Sequence, residues 1–230
     1  MKQAVLCIPC LLFACSDSQE PMQEVEQISQ PWFEDVAREW GVDFTYQNGA
    51  KGNFNIKEVT GGGAALFDYD NDGDIDLYIV QGAGVEGNAL FENVDSKFVN
   101  RSKGSGADDK GYGIGVTTGD YDGDGDVDLY VTNIGVNALL RNDGNGRFTD
   151  VALEAGVEDD GFSACSAFGD LDGDGDVDIL GAAQNADDIV WWKNEGSQGF
   201  TRNNITMPYY QLDGARSVYA TDVDGDGDMD

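Results

Sequence analysis

The sequence runs to 230 residues, 40% of them hydrophobic, with 44 Asp and Glu against 13 Lys and Arg and a formal net charge of -31. That apolar content supports a packed core rather than a disordered acidic tail, and the negative field excludes DNA, RNA and other polyanions as partners. Histidine is absent, which removes histidine acid–base catalysis, Ser–His and Cys–His nucleophile pairs and His-based zinc sites.

In chain order, the first element is an address. Lys2 precedes an apolar stretch from Ala4 to Ala14, too short for a stable membrane span, and a polar run begins at Ser16, the pattern of an export signal. Leu12-Phe13-Ala14-Cys15 resembles a bacterial lipobox, which makes Cys15 the expected lipidation site; the alternative is ordinary cleavage near Ala14 with release of a soluble protein. Ser16 resembles the outer-membrane class of lipoprotein, so the expected location is the outer membrane or cell surface, otherwise the periplasm or medium. Residues 1–15 are thus read as signal with lipobox and residues 16–31 as a polar tether rich in Gln and Glu. Membrane contact is expected only through the lipid. Cys7, Cys10 and Cys15 lie in the signal, leaving Cys165 without a disulfide partner in the body. Within Phe162–Phe168 it is expected as a buried thiol, with no Lys or Arg near in sequence to activate it.

The body, residues 32–230, repeats one acidic nine-residue loop. The copies are Asp68, Asp70, Asp72, Asp74 and Asp76 (residues 68–76); Asp120, Asp122, Asp124, Asp126 and Asp128 (120–128); Asp170, Asp172, Asp174, Asp176 and Asp178 (170–178); and Asp222, Asp224, Asp226, Asp228 and Asp230 (222–230). Their first residues are 52, 50 and 52 positions apart, a repeat architecture. The composition suits calcium, Ca2+, a hard cation that takes about six to eight oxygens at about 2.3–2.6 Å. Carboxylates at the first, third and fifth positions converge if the chain curls, and the glycines at the sixth (Gly73, Gly125, Gly175, Gly227) permit the turn. The seventh position is expected to offer its carbonyl, so its aspartate is the least expected side-chain ligand; the ninth supplies the last carboxylate, and the apolar eighth packs on the core. Plain Asp-Gly turns need one or two such residues, and five aspartates per loop without a cation would repel strongly. Magnesium rarely uses an all-protein cage.

An EF-hand requires flanking helices and a Glu at the twelfth position, where Ile79, Val131 and Gly181 stand. The flanks read as strands instead: Ala64–Phe67, Tyr112–Thr118, Phe162–Phe168 and Ser217–Ala220 before the loops, and Leu77–Val80, Leu129–Thr132 and Ile179–Leu180 after them. A hairpin follows in each repeat, at Asn88–Phe98, Asn137–Phe148 and Ile189–Phe200, with Asn93, Asn142 and Asn194 in register. Four strands in about 50 residues is the size of a propeller blade. The expected fold is all-β: a β-propeller of four-stranded blades, about three and a half of them in this sequence, whose end at residue 230 falls inside a loop motif.

The loops, the run from Arg141 to Val151 and Ala155-Gly156-Val157 resemble the FG-GAP/VCBS-type repeats of integrin-like β-propellers. Phe33-Glu34-Asp35-Val36, Gly41-Val42-Asp43-Phe44 and the stretch Gly61–Asp70 look more narrowly like the cartilage-acidic-protein (ASPIC/UnbV) group. The resemblance implies about seven blades in a closed ring and a non-catalytic scaffold presenting a face to protein or carbohydrate; Phe33–Val36 resembles Phe148–Val151, the last strand of a repeat, and is expected to complete the final blade in the full protein. The rival it implies is a propeller belonging to a polysaccharide lyase or another secreted enzyme. Bases for such chemistry are few: Lys110, Arg141, Arg147, Lys193, Arg216 and the tyrosines. Trp191-Trp192 offers a sugar platform or, aligned with Leu139-Leu140, an ordinary strand pair.

Overall fold

The computed structural model describes residues 33–53, 55–83, 86–183, 188–196, 199–205, 214–223 and 229. The signal with Cys15, the tether, and Asp224, Asp226, Asp228 and Asp230 of the fourth loop lie outside the described residues. Residues 36–230 form one compact unit, distinct from residues 1–35.

Among the described residues the strands fall into three antiparallel groups of four. The first blade holds β1 (Ala64–Phe67), β2 (Asp76–Ile79), β3 (Ala89–Val94) and β4 (Lys97–Asn100). The second holds β5 (Tyr112–Gly119), β6 (Asp128–Val136), β7 (Ala138–Asn142) and β8 (Phe148–Asp150). The third holds β9 (Asp160–Gly169), β10 (Asp178–Ala183), β11 (Asp188–Asn194) and β12 (Phe200–Asn204). Each acidic loop joins the first two strands of its blade and is closed by the pairs Phe67–Asp76, Gly119–Asp128 and Gly169–Asp178. The far end of β6 pairs with the start of β9, Ile134 opposite Phe162 and Val136 opposite Asp160, so the second and third blades share a ladder. The described blades form an open stretch of β-propeller and close no ring.

Successive side chains of a strand face opposite ways, and the middle blade uses both faces. Leu129 and Val131 of β6 and Leu140 of β7 join Tyr78, Val80 and Leu90 in a core shared with the first blade. Tyr130 and Leu139, one residue over on each strand, join Ile179, Val190 and Trp192 in a core shared with the third. This explains why β6 and β7 read as continuous apolar runs rather than alternating ones. Trp192 is fully buried, its ring 6.0 Å from that of Tyr130, while Trp191 is half-buried on the opposite face of the strand, so one of the pair joins the shared core. A fully buried side chain of this kind contributes about 1.5–3 kcal/mol.

Buried hydroxyls tie each blade to the segment leading into the next. Tyr78 donates to the Ala107 carbonyl (2.7 Å) and Tyr130 to that of Val157 (2.8 Å); each accepts from an asparagine, Asn88 at 3.0 Å and Asn137 at 3.1 Å. In the third blade Leu180 occupies the tyrosine's place.

Two expectations change. Ser217–Ala220 makes no ladder among the described residues; in the other repeats this strand pairs with the one that follows the loop. Cys165 is half-buried rather than buried, its Sγ 3.6 Å from the Ser166 carbonyl and 3.9 Å from that of Val218. Phe33–Val36, expected to complete a final blade, forms no strand here, and that blade is not among the described residues. Two four-residue helices, α1 (Ile56–Val59) and α2 (Ala152–Ala155), were not legible, and among the described residues no helix is long and apolar enough to cross a membrane.

The β3–β4 hairpin lacks the glycines of its counterparts. It turns on Asp95 and Ser96, both left-handed at φ 53° and 64°, where the second hairpin uses Gly144 and Gly146 at φ 71° and 69°. A two-residue turn of this hand matches the twist of the strands but strains any residue with a Cβ. Ser96→Gly should therefore stabilise the chain by about 0.5–1 kcal/mol in urea denaturation, whereas Gly144→Ala should destabilise it by a comparable or larger amount.

Candidate metal centre

The chain curls at each loop because two of its residues adopt left-handed backbone. The sixth-position glycines Gly73, Gly125 and Gly175 have φ near +93° to +94°. The fourth position is left-handed too, as Asn71 (59°), Gly123 (71°) and Gly173 (74°), which the sequence reading did not single out although Asn and Gly are the residues that tolerate it.

The curl lays backbone N–H groups over the first aspartate. Asp170 accepts from the N–H groups of Gly173, Asp174 and Gly175 at 2.9, 3.2 and 2.9 Å; Asp120 does the same for Gly123, Asp124 and Gly125, and Asp68 for Asp72 and Gly73. The ninth aspartate is the most buried, with Asp76, Asp128 and Asp178 at 1%, 0% and 0% exposure. One oxygen of each accepts from the loop's second residue, Tyr69, Tyr121 or Leu171, at 2.9–3.0 Å. The other accepts at 2.7 Å from the N–H of Asn93, Asn142 or Asn194 on the third strand.

Those asparagines are functional residues that sequence reading noticed only as a register. Asn142 donates through Nδ2 to the Val127 carbonyl (3.2 Å) and, across the blade boundary, to that of Tyr69 (2.8 Å); Asn194 likewise reaches Val177 (3.0 Å) and Tyr121 (2.8 Å). Asn93, on the first described blade, reaches Ile75 alone (3.2 Å) among the described residues, and its buried Oδ1 has no partner among them, whereas Asn142 and Asn194 accept there from Gly144 and Gly196 of their own hairpins. Ile75 is correspondingly 51% exposed, while Val127 packs on the core between the first two blades.

Three carboxylates converge at each described loop: Asp68, Asp70 and Asp76; Asp120, Asp122 and Asp128; Asp170, Asp172 and Asp178. In each set one oxygen per residue lies within 4.8 Å of the others, the span of two calcium–oxygen bonds of about 2.4 Å laid end to end. The donors are all oxygen, the chemistry of a hard cation. The groups can hold a metal ion. Asp72, Asp124 and Asp174 at the fifth position stand outside these sets; each accepts from the N–H of the seventh residue, Asp74, Asp126 or Asp176, at 2.8–3.0 Å.

Burial without a counter-charge raises the carboxyl pKa of the ninth aspartates. Asp128, in the middle blade with protein on both sides, is pushed up to about 7, burial outweighing its two backbone hydrogen bonds and the nearby charges of Asp122 and Asp124 adding to it. Asp76 and Asp178 are raised for the same first cause. A group with a raised folded pKa contributes stability that is fully present below its ordinary value of 3.8 and is lost as pH rises through about 7. In chelator, the melting temperature should thus fall from pH 5 to pH 8. Asp128→Asn should flatten that profile while costing about 1–3 kcal/mol, because an amide leaves one of the two N–H groups without an acceptor.

The FG-GAP-like repeat family matches the sequence three times, over residues 68–131, 120–181 and 170–230, each match opening on the first aspartate of a loop. No curated protein matches the chain. Among solved structures, a lectin of Agrocybe aegerita, described for its specific recognition of non-reducing terminal N-acetylglucosamine, is similar at 21% identity and a TM-score of 0.47, over 72% of this chain and 44% of the lectin. The chain spans less than half the length of that lectin.

Proposed function

The chain belongs to the FG-GAP-like repeat family, and from that premise we propose that it is a calcium-stabilised, exported β-propeller that binds a protein or carbohydrate partner and performs no chemistry of its own. The observation that carries the reading is the recurrence, in three consecutive loops, of an oxygen-only carboxylate set with the spacing a calcium ion fills. A magnesium ion keeps several of its waters and is seldom enclosed by protein alone. A bound cation supplies the positive charge that the buried ninth aspartate lacks and draws the first and third aspartates onto it. Its work is to hold the hairpin between the first two strands of a blade shut, and with it the surface the blade presents.

Export supports the same reading. Calcium sites of extracellular modules bind at about 10⁻⁴–10⁻³ M, a concentration found outside cells. Lipidation at Cys15 would hold the protein at a membrane surface, with the tether of residues 16–31 between lipid and propeller. A binding role without catalysis is supported by the absence of histidine and by the engagement of two candidate bases in ion pairs, Lys110 with Asp108 at 3.6 Å and Lys193 with Asp172 and Asp174.

Calcium at a hundred times its dissociation constant should raise the melting temperature by about 5–10 °C over the chelated protein, and magnesium at equal concentration should raise it much less. An unchanged melting temperature in EDTA would sink the reading. Incubation with acidic and neutral polysaccharides should release no unsaturated products. Cys15→Ala should move the expressed protein from the membrane fraction to the soluble one.

A further inference from the structure

The three described loops share a backbone course but differ at one side chain that faces them from the third strand, the residue just before the asparagine. It is Glu92 in the first blade, Arg141 in the second and Lys193 in the third. Glu92 is engaged by Arg101 and adds a carboxylate near Asp70. Arg141 turns its guanidinium toward Asp143, 3.9 Å away in the hairpin, with its charge also felt at Asp122 and Tyr121 of the second loop. Lys193 alone among them makes an ion pair with loop aspartates: its ammonium lies against Asp172 and 3.1 Å from Asp174, with 25% of the side chain exposed. Asp172 is one of the three aspartates of the third carboxylate set. A cation carried by the chain thus occupies part of the place where a free one would bind.

We infer that Lys193 is a tethered counter-cation that competes with calcium for the third loop, which makes that loop the weakest calcium site of the three and keeps it closed when no metal is bound. This rests on the calcium reading above. The physical reason is that two positive charges cannot share Asp172 without repelling one another, so the ammonium must withdraw before the ion is fully ligated. A lysine on a flexible stem can do so, swinging out to water at small cost. At the first loop the corresponding residue is Glu92, and the cation beside it, Arg101, is paired with that glutamate rather than with a loop aspartate.

The test is a calorimetric calcium titration of the full chain at low ionic strength, paired with melting temperatures in EDTA, for the wild type, Lys193→Met and Lys193→Arg. An Asp170→Ala chain identifies which binding step belongs to the third loop. Lys193→Met keeps the apolar stem and removes the charge. It should tighten that step about five- to tenfold, the effect of removing about one kcal/mol of repulsion, and lower the melting temperature in EDTA, where Asp172 and Asp174 lose their only close cation among the described residues. Lys193→Arg should stay near wild type in both. If calcium binds wild type and Lys193→Met equally, the competition is overturned and the calcium reading stands. If no chain takes up calcium, the calcium reading falls and the competition with it.

Discussion

Everything in this fold hangs on a carboxylate that has no business being buried. Asp76, Asp128 and Asp178 are each shielded from water, and both oxygens of each are taken by backbone N–H groups, one from the start of its own loop and one from the third strand. The first bond closes the loop and the second locks the hairpin against it, so one side chain fixes the relation of three of a blade's four strands. Hydrogen bonds to a charged acceptor are about twice as strong as neutral ones, and a backbone donor left unpaired at such a place costs about 1–3 kcal/mol. The burial that makes the latch rigid also makes its charge expensive, and a cation beside it resolves that conflict without loosening the bonds.

The latch also ties one blade to the next. The N–H of Asn142 serves its own blade's aspartate, while its side-chain amide reaches the loop of the preceding blade at Tyr69; Asn194 repeats the arrangement toward Tyr121. Asn71 of the first loop also donates to Asp126 of the second at 2.6 Å. A short polar path thus joins one loop to the next, alongside the apolar cores on either side of β6 and β7. In the first described blade the same residues differ: among the described residues Asn93 Oδ1 has no partner, and Ile75 is exposed. The exposure of Ile75 belongs to the position of a blade in a row, whereas the unpartnered Asn93 oxygen belongs to its own hairpin, which lacks the glycine N–H that Gly144 and Gly196 give Asn142 and Asn194.

That distinction also divides what was legible from what was not. Period, strand flanks and the sixth-position glycine are local properties, and each could be read from neighbouring residues alone. The blades appear where those signals place them, and strand flanks at every described loop exclude the EF-hand. What escaped depends on partners distant in sequence. The ninth aspartate reads as one more acidic ligand until its two N–H donors are seen, one of them 14 to 17 residues away. The asparagine reads as a hairpin register mark because its acceptor in the preceding blade lies 73 residues back. Ser217–Ala220 has the composition of a strand, but a strand is a pairing and not a composition. Lys193 looked like a stray base in an acidic chain; only the loop folded beside β11 gives its charge a use.

A net charge of -31 is then less a property of the surface than of the sites. The four loop motifs concentrate aspartate at the points where the backbone turns back on itself, so that self-repulsion acts on blade geometry directly rather than on the molecule at large. Such a chain has three ways to relieve the strain: bind a cation, take up protons, or supply a cation from its own sequence. Asp128, held near neutrality by burial, shows the second way open in the middle blade, and Lys193 shows the third in the last described one. The first blade, with Glu92 facing its loop, has neither a resident ammonium nor the flanking protein that drives Asp128 so far. Identical loop spacing therefore does not make identical sites. The side chain one residue before the asparagine and the protein packed on either side set the charge each loop has to accommodate.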